Sequence, residues 1–182
     1  DLVLGEGVSV KYIRTVEMAD KSDKRMIALS QLKKHIEKTV KANGKDFFEN
    51  PKDLYTGYHL TPKDSKVLRA DVMFGITCME SLVAEYYSQS TEIFDHANSF
   101  GAQAIFLVFR NHQDGQATLN FRHDLEDRIT DEILKPHNLG QIIGGATGTN
   151  YSYIDLFVFN IHSFLQEVLP LLEAYPDYSF YA

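Results

Sequence analysis

One cysteine, no long apolar run and a shortage of positive charge set the outer limits of this 182-residue chain. Cys78 stands alone, so neither an intrachain disulfide nor a cysteine-based zinc site can form. A single thiol agrees with a reducing, cytoplasmic compartment. No stretch of about 18 apolar residues exists, which excludes a membrane-spanning helix. The opening Asp1-Leu2-Val3-Leu4-Gly5 has neither the basic nor the apolar part of a secretory signal. With 18 Lys and Arg against 25 Asp and Glu, the net charge is −7. Phosphate backbones demand a basic footprint, so no nucleic-acid partner is expected.

Catalytic and cofactor signatures are missing too. No Gly-Lys-Ser/Thr closes a phosphate loop and no Gly-x-Ser-x-Gly forms a nucleophile elbow. The seven histidines never form a His-x-x-x-His ligand pair. Neither a metal nor a cofactor is therefore assigned. What the chain does have is 44% hydrophobic residues, 12% of all residues being aromatic, which is enough for a folded core.

Hydrophobic periodicity orders the chain. A period of two over Val8–Met18 predicts a strand, and Met26, Leu29, Leu32, Ile36 and Val40 recur at helical spacing before Asn43-Gly44. A short strand fits Leu54–Leu60, and a longer one fits Val67–Ile76. Met79 to Ala97 traces one continuous helical face. Ala104–Phe109 is apolar on both faces and predicts a central strand. A turn at Asn111–Gly115 followed by Ala117, Leu119 and Phe121 predicts a returning strand, with a short helix from Asp124 to Pro136. Leu139–Ile143 and Tyr151–Phe159 read as strands joined by a glycine-rich loop. Ile161 to Leu172 reads as an apolar helix kinked or broken by Pro170, with a last strand at Tyr178–Tyr181.

The fold class implied is α+β, a mixed or antiparallel sheet with helices packed on it. Residues 117–182 read β-α-β-β-α-β, a ferredoxin-like order, and residues 8–110 read the same way if Leu54–Leu60 is a strand. Two units follow, an N-terminal α+β unit over 1–110 and a C-terminal one over 111–182, closely packed or merged into one domain.

Three places carry candidate chemistry. The segment Gly144-Gly145-Ala146-Thr147-Gly148-Thr149-Asn150 offers exposed amides and hydroxyls for an anion, with Tyr151 and Tyr153 beyond it. A hairpin connection that simply needs glycine explains the same residues. His123 and Asp127 form the densest acidic and imidazole cluster, with Asp131 one turn on, though acidic residues suit any helix start. Asp155 shares a strand face with Tyr151, Tyr153, Phe157 and Phe159, where a carboxylate becomes a general acid or a ligand anchor, or a structural hydrogen-bond acceptor. Cys78, at a strand-to-helix junction, fits a packing role. The function expected is a noncatalytic module for a protein partner or a small anionic ligand. A hydrolytic or phosphotransfer enzyme using Asp155, His123 or Asp127 is one alternative, and an immunity or regulatory protein is another.

Overall fold

A computed structural model describes residues 27–42, 55–111 and 115–181. The strand expected over Val8–Met18 and the Asn43-Gly44 stop lie outside the described residues. The described chain is α+β: a six-stranded sheet, antiparallel at every pairing, with helices on both faces.

In chain order the elements are α1 (Leu32–Ala42), β1 (Thr56–His59), β2 (Val72–Thr77), α2 (Glu80–Ser88), α3 (Glu92–Ser99), β3 (Gln103–Arg110), α4 (Gly115–Arg128), β4 (Gly140–Gly148), β5 (Tyr151–Val158), α5 (Ile161–Glu173) and β6 (Phe180–Tyr181). A 3-10 turn, Leu29–Gln31, precedes α1. Helix α4 runs on through a π-helical turn, Ile129–Leu134, and a last turn to His137. The spatial order of the strands is β1-β2-β4-β5-β3-β6. Strands from both parts of the chain thus share one sheet, because β2 hydrogen-bonds to β4.

One face carries the larger core. Leu107, Ile142, Ile154, Leu156 and Val158 from the sheet meet Leu125, Ile129, Ile133 and Leu134 from the α4 segment and Phe164, Val168, Leu171 and Leu172 from α5. Continuous apolar contact of this kind is what holds short helices in place. The opposite face is thinner. There Ile143 and Phe157 pack with Cys78, Met79 and Ala102 beneath α2 and α3, while Val72, Val108, Ala146 and Tyr153 form a second cluster with Leu60.

Several sequence expectations are corrected. Ala117, Leu119 and Phe121 belong to α4 and not to a returning strand, so the β-α-β-β-α-β order read over 117–182 is not formed. The face that α4 buries carries Thr118, Arg122, Leu125 and Ile129, a helical spacing hidden by its two polar members. The helix expected from Met79 to Ala97 is two, separated at Gln89, which adopts φ 56° and a left-handed backbone. The glycine segment is no loop. It is most of β4, and only Thr149 and Asn150 turn the chain into β5. Pro170 does not break α5, whose buried Val168, Leu171 and Leu172 hold the turns on either side of it against the sheet. Ala104–Phe109 is next to the sheet edge, covered only by the two-residue β6.

Why glycine fills β4 follows from what surrounds it. A Cβ on Gly144 would overlap the carbonyl oxygen of Ile76 in β2, and one on Gly148 would overlap the Asp71 carboxylate. At Gly145 it would stand 2.9 Å from Glu126 Oε1 and 2.8 Å from the Tyr153 carbonyl oxygen. These residues are bare because neighbours come in close, not because the chain must bend.

Candidate functional site

Asp155 sits midway along β5, opposite Gly144 on one side and Phe106 on the other. Period-two alternation puts it on the face away from α4 and α5, together with Tyr153 and Phe157. Its partner comes from far away in sequence. Arg69, in the turn before β2, places Nη1 2.8 Å from Asp155 Oδ1. The guanidinium also lies over two rings, 5.0 Å from the Tyr153 centroid and 5.2 Å from that of Phe106. Burial is the largest influence and opposes the Arg69 charge, but Asp155 beside it, together with Tyr58 and Tyr153, holds the guanidinium above its ordinary pKa. The Arg69 side chain keeps 37% of its surface exposed and that of Asp155 15%.

Arg69 reaches this position through a left-handed backbone, φ 67°, which a bulky side chain seldom adopts. Its amide donates to the Tyr153 hydroxyl at 2.8 Å, fixing the turn against the sheet. That hydroxyl in turn donates to Oδ1 of Asp71, a fully buried carboxylate. The other oxygen of Asp71 accepts from the amides of Asn150 at 3.0 Å and Tyr151 at 3.1 Å. The Asp71 carbonyl accepts from the Thr149 amide at 3.0 Å. The amide-rich turn anticipated for an anion therefore already holds one, supplied by this chain. Thr147 Oγ1 accepts from Arg122 Nη1 at 3.0 Å, on the α4 side. Gly144, Gly145 and Gly148 remain buried in β4, Thr149 is exposed, and Tyr151 and Tyr153 line the aromatic cluster around Val72 and Val108.

His123 and Asp127 are placed elsewhere. Both are exposed on α4, and burial followed by the neighbouring Arg122 charge lowers the His123 pKa while Asp127 raises it. Asp131 pairs with Lys135 at 2.6 Å, and Glu132 pairs with Arg128 at 2.7 Å. Such i,i+4 pairs are the ordinary dress of a solvated helix. Among the described residues, no group of three or more His, Cys, Asp or Glu is placed to hold a metal ion. No helix among them is long and apolar enough to cross a membrane.

A cavity of about 820 Å³ lies between the α2–α3 pair and the sheet. Arg69 and Asp155 stand in its wall with Tyr58, Glu85, Tyr86, Phe94 and Phe106. Tyr58 comes from β1, where its ring lies across Gly75 of the paired strand. Burial pushes the Tyr58 hydroxyl up to about 12, with the Asp155 charge adding to the effect. At neutral pH this group is a neutral phenol, able to donate a hydrogen bond and to accept one, and never a phenolate. Its hydroxyl and the remaining Arg69 N–H groups can donate to a bound acceptor. Most of the rest of the wall is apolar, including Leu60, Val72, Leu82, Val83 and Ile143.

Neither Arg69 nor Glu85 is marked by any local sequence pattern. A positive-φ arginine in a Ser-Lys-Val-Leu-Arg turn and a helical glutamate both look like surface residues until the sheet closes over them. Comparison with protein-family models, with curated proteins and with solved structures finds no match to this chain.

Proposed function

We propose that this protein is a small-ligand-binding module, taking a largely apolar molecule into the cavity between the sheet and the α2–α3 pair. The observation that carries this reading is the cavity itself. At about 820 Å³ it falls inside the range of about 300–1,000 Å³ usual for ligand pockets. Its composition supports the reading too: aromatic and aliphatic walls with a few convergent polar groups, Tyr58, Arg69 and Asp155, on one side. Asp155 serves as an anchor here, since the Arg69 guanidinium holds it in place at 2.8 Å.

Binding of N-phenyl-naphthylamine, a neutral dye that fluoresces on leaving water, tests the reading. The wild-type protein is expected to bind it saturably at one site. Ala104→Trp, which places an indole in the cavity from an exposed position on β3, is expected to abolish binding with little change in thermal stability. Dye binding that survives this substitution, or none at all in the wild type, would overturn the proposal.

A further inference from the structure

Of the three charged residues in the cavity wall, two pair with each other and the third is out of reach. Arg69 and Asp155 meet at 2.8 Å. Glu85 is 8% exposed and offers no oxygen to a ligand. Its Oε1 accepts from the Ile93 amide at 2.8 Å and from Ser90 Oγ at 3.3 Å, tying α2 to α3 across the Gln89 kink. Its Oε2 is sealed from solvent. Two ring faces of the same wall already carry cations of this chain, Phe106 beneath Arg69 and Tyr86 beneath Lys63, each at 5.2 Å. They add little pull on a positively charged ligand.

Hydrogen-bonding capacity remains nonetheless. A guanidinium has five N–H donors, and Arg69 uses two of them on Asp155, at 2.8 Å and 3.5 Å. The longer contact lies past the usual range, so Asp155 Oδ2 is a poorly used acceptor. Tyr58 supplies the third group. Among the described residues no hydrogen bond takes up its hydroxyl. The sealed, unpartnered side-chain atoms among those residues are Glu85 Oε2 and Arg122 Nε, so the Tyr58 hydroxyl is open to water. After burial, the two charges of the pair are the next influences on that hydroxyl, Asp155 raising its pKa and Arg69 lowering it. All three groups thus share one neighbourhood of the cavity wall.

We infer that the ligand's polar group is uncharged and both donates and accepts hydrogen bonds, as an amide or a hydroxyl does, and that Tyr58 and the Arg69–Asp155 pair recognise it. The inference rests on the cavity reading above and adds the chemistry of the ligand's polar end. A neutral group of this kind accepts from Tyr58 or Arg69, donates to Asp155 and leaves the pair intact. A carboxylate brings a like charge beside Asp155, and an ammonium brings one beside Arg69. Either ion leaves water without a free counter-charge to meet it, which is costly.

Three probes of one shape test this by calorimetry at neutral pH: phenylbutanamide, phenylbutyrate and phenylbutylamine. The amide is expected to bind the wild type about tenfold or more tighter than either ion, since each ion is desolvated beside a like charge. Tyr58→Phe removes one neutral hydrogen bond and is expected to weaken the amide about fivefold. An unshifted thermal melt shows that this variant is folded. Asp155→Asn leaves Arg69 without its counter-ion and is expected to invert the order, phenylbutyrate becoming the tightest of the three. The inference is overturned, with the cavity left in place, by an ion that binds the wild type as tightly as the amide or by an amide affinity untouched by Tyr58→Phe. An unchanged order in folded Asp155→Asn overturns it too, as does failure of all three probes in protein that still binds the dye. Failure of probes and dye together would overturn both readings.

Discussion

Replacing Asp71 by asparagine tests the reading of the β4–β5 turn most directly. The carboxylate is fully buried and takes three donors, the Tyr153 hydroxyl and the amides of Asn150 and Tyr151. Asparagine keeps the shape but offers one oxygen and one NH2. If that oxygen serves the two amides, both bonds lose charge assistance, about 1 kcal/mol each. The NH2 then faces the Tyr153 hydroxyl, which already accepts from the Arg69 amide at 2.8 Å. The phenol proton is left without an acceptor, a further cost of about 1–3 kcal/mol. The sum is a loss of about 3–5 kcal/mol, a large share of the roughly 5–15 kcal/mol that stabilises a typical domain. Asp71→Ala strands all three donors and is expected to leave too little folded protein to measure. Urea denaturation followed by far-UV circular dichroism gives the change, with an unaltered slope showing that the two states compared are the same. Tyr153→Phe completes a double-mutant cycle, expected to return a coupling of about 1–2 kcal/mol because the two side chains share one bond. A loss under about 1 kcal/mol for Asp71→Asn, or strict additivity in the cycle, would refute the claim that Asp71 holds the turn.

Further outcomes follow from the same structure. Gly144→Ala forces a methyl into the Ile76 carbonyl of β2 and is expected to destabilise by about 2 kcal/mol or more. Gly57→Ala meets nothing within 4 Å and is expected to be neutral or to stabilise by about 0.5 kcal/mol; thermal melts of the pair check both. Tyr58 is expected to titrate at about 12 by NMR, against about 10 in the unfolded chain. Because the folded state keeps this proton longer, its contribution to stability is whole below pH of about 10 and fades as pH rises towards about 12. Asp155→Asn, by removing a negative neighbour, is expected to bring the Tyr58 value down. A rise would contradict the placement of that carboxylate.

Some of this molecule is written along the chain. Strict alternation from Tyr151 to Val158 fixes a strand with Asp155, Tyr153 and Phe157 on one face and Ile154, Leu156 and Val158 on the other, because a period of two leaves no choice of side. The apolar face of α5 and the α+β class are legible for the same reason: burial against one surface stamps a period on the sequence. Where the buried face is polar, that stamp is lost. Helix α4 buries Thr118 and Arg122, and its Ala117, Leu119 and Phe121 imitate a strand. Glycine in β4 imitates a loop, since the sequence records the absence of a side chain but not the Ile76 carbonyl and the Asp71 carboxylate that require it. The partner of Asp155 was equally hidden. Arg69 is 86 residues away and meets it only once β2, β4 and β5 lie side by side. Local periodicity decides what a segment becomes and which face it buries. Only the closed sheet decides which charges meet, which amides are already taken, and where a space is left between the layers.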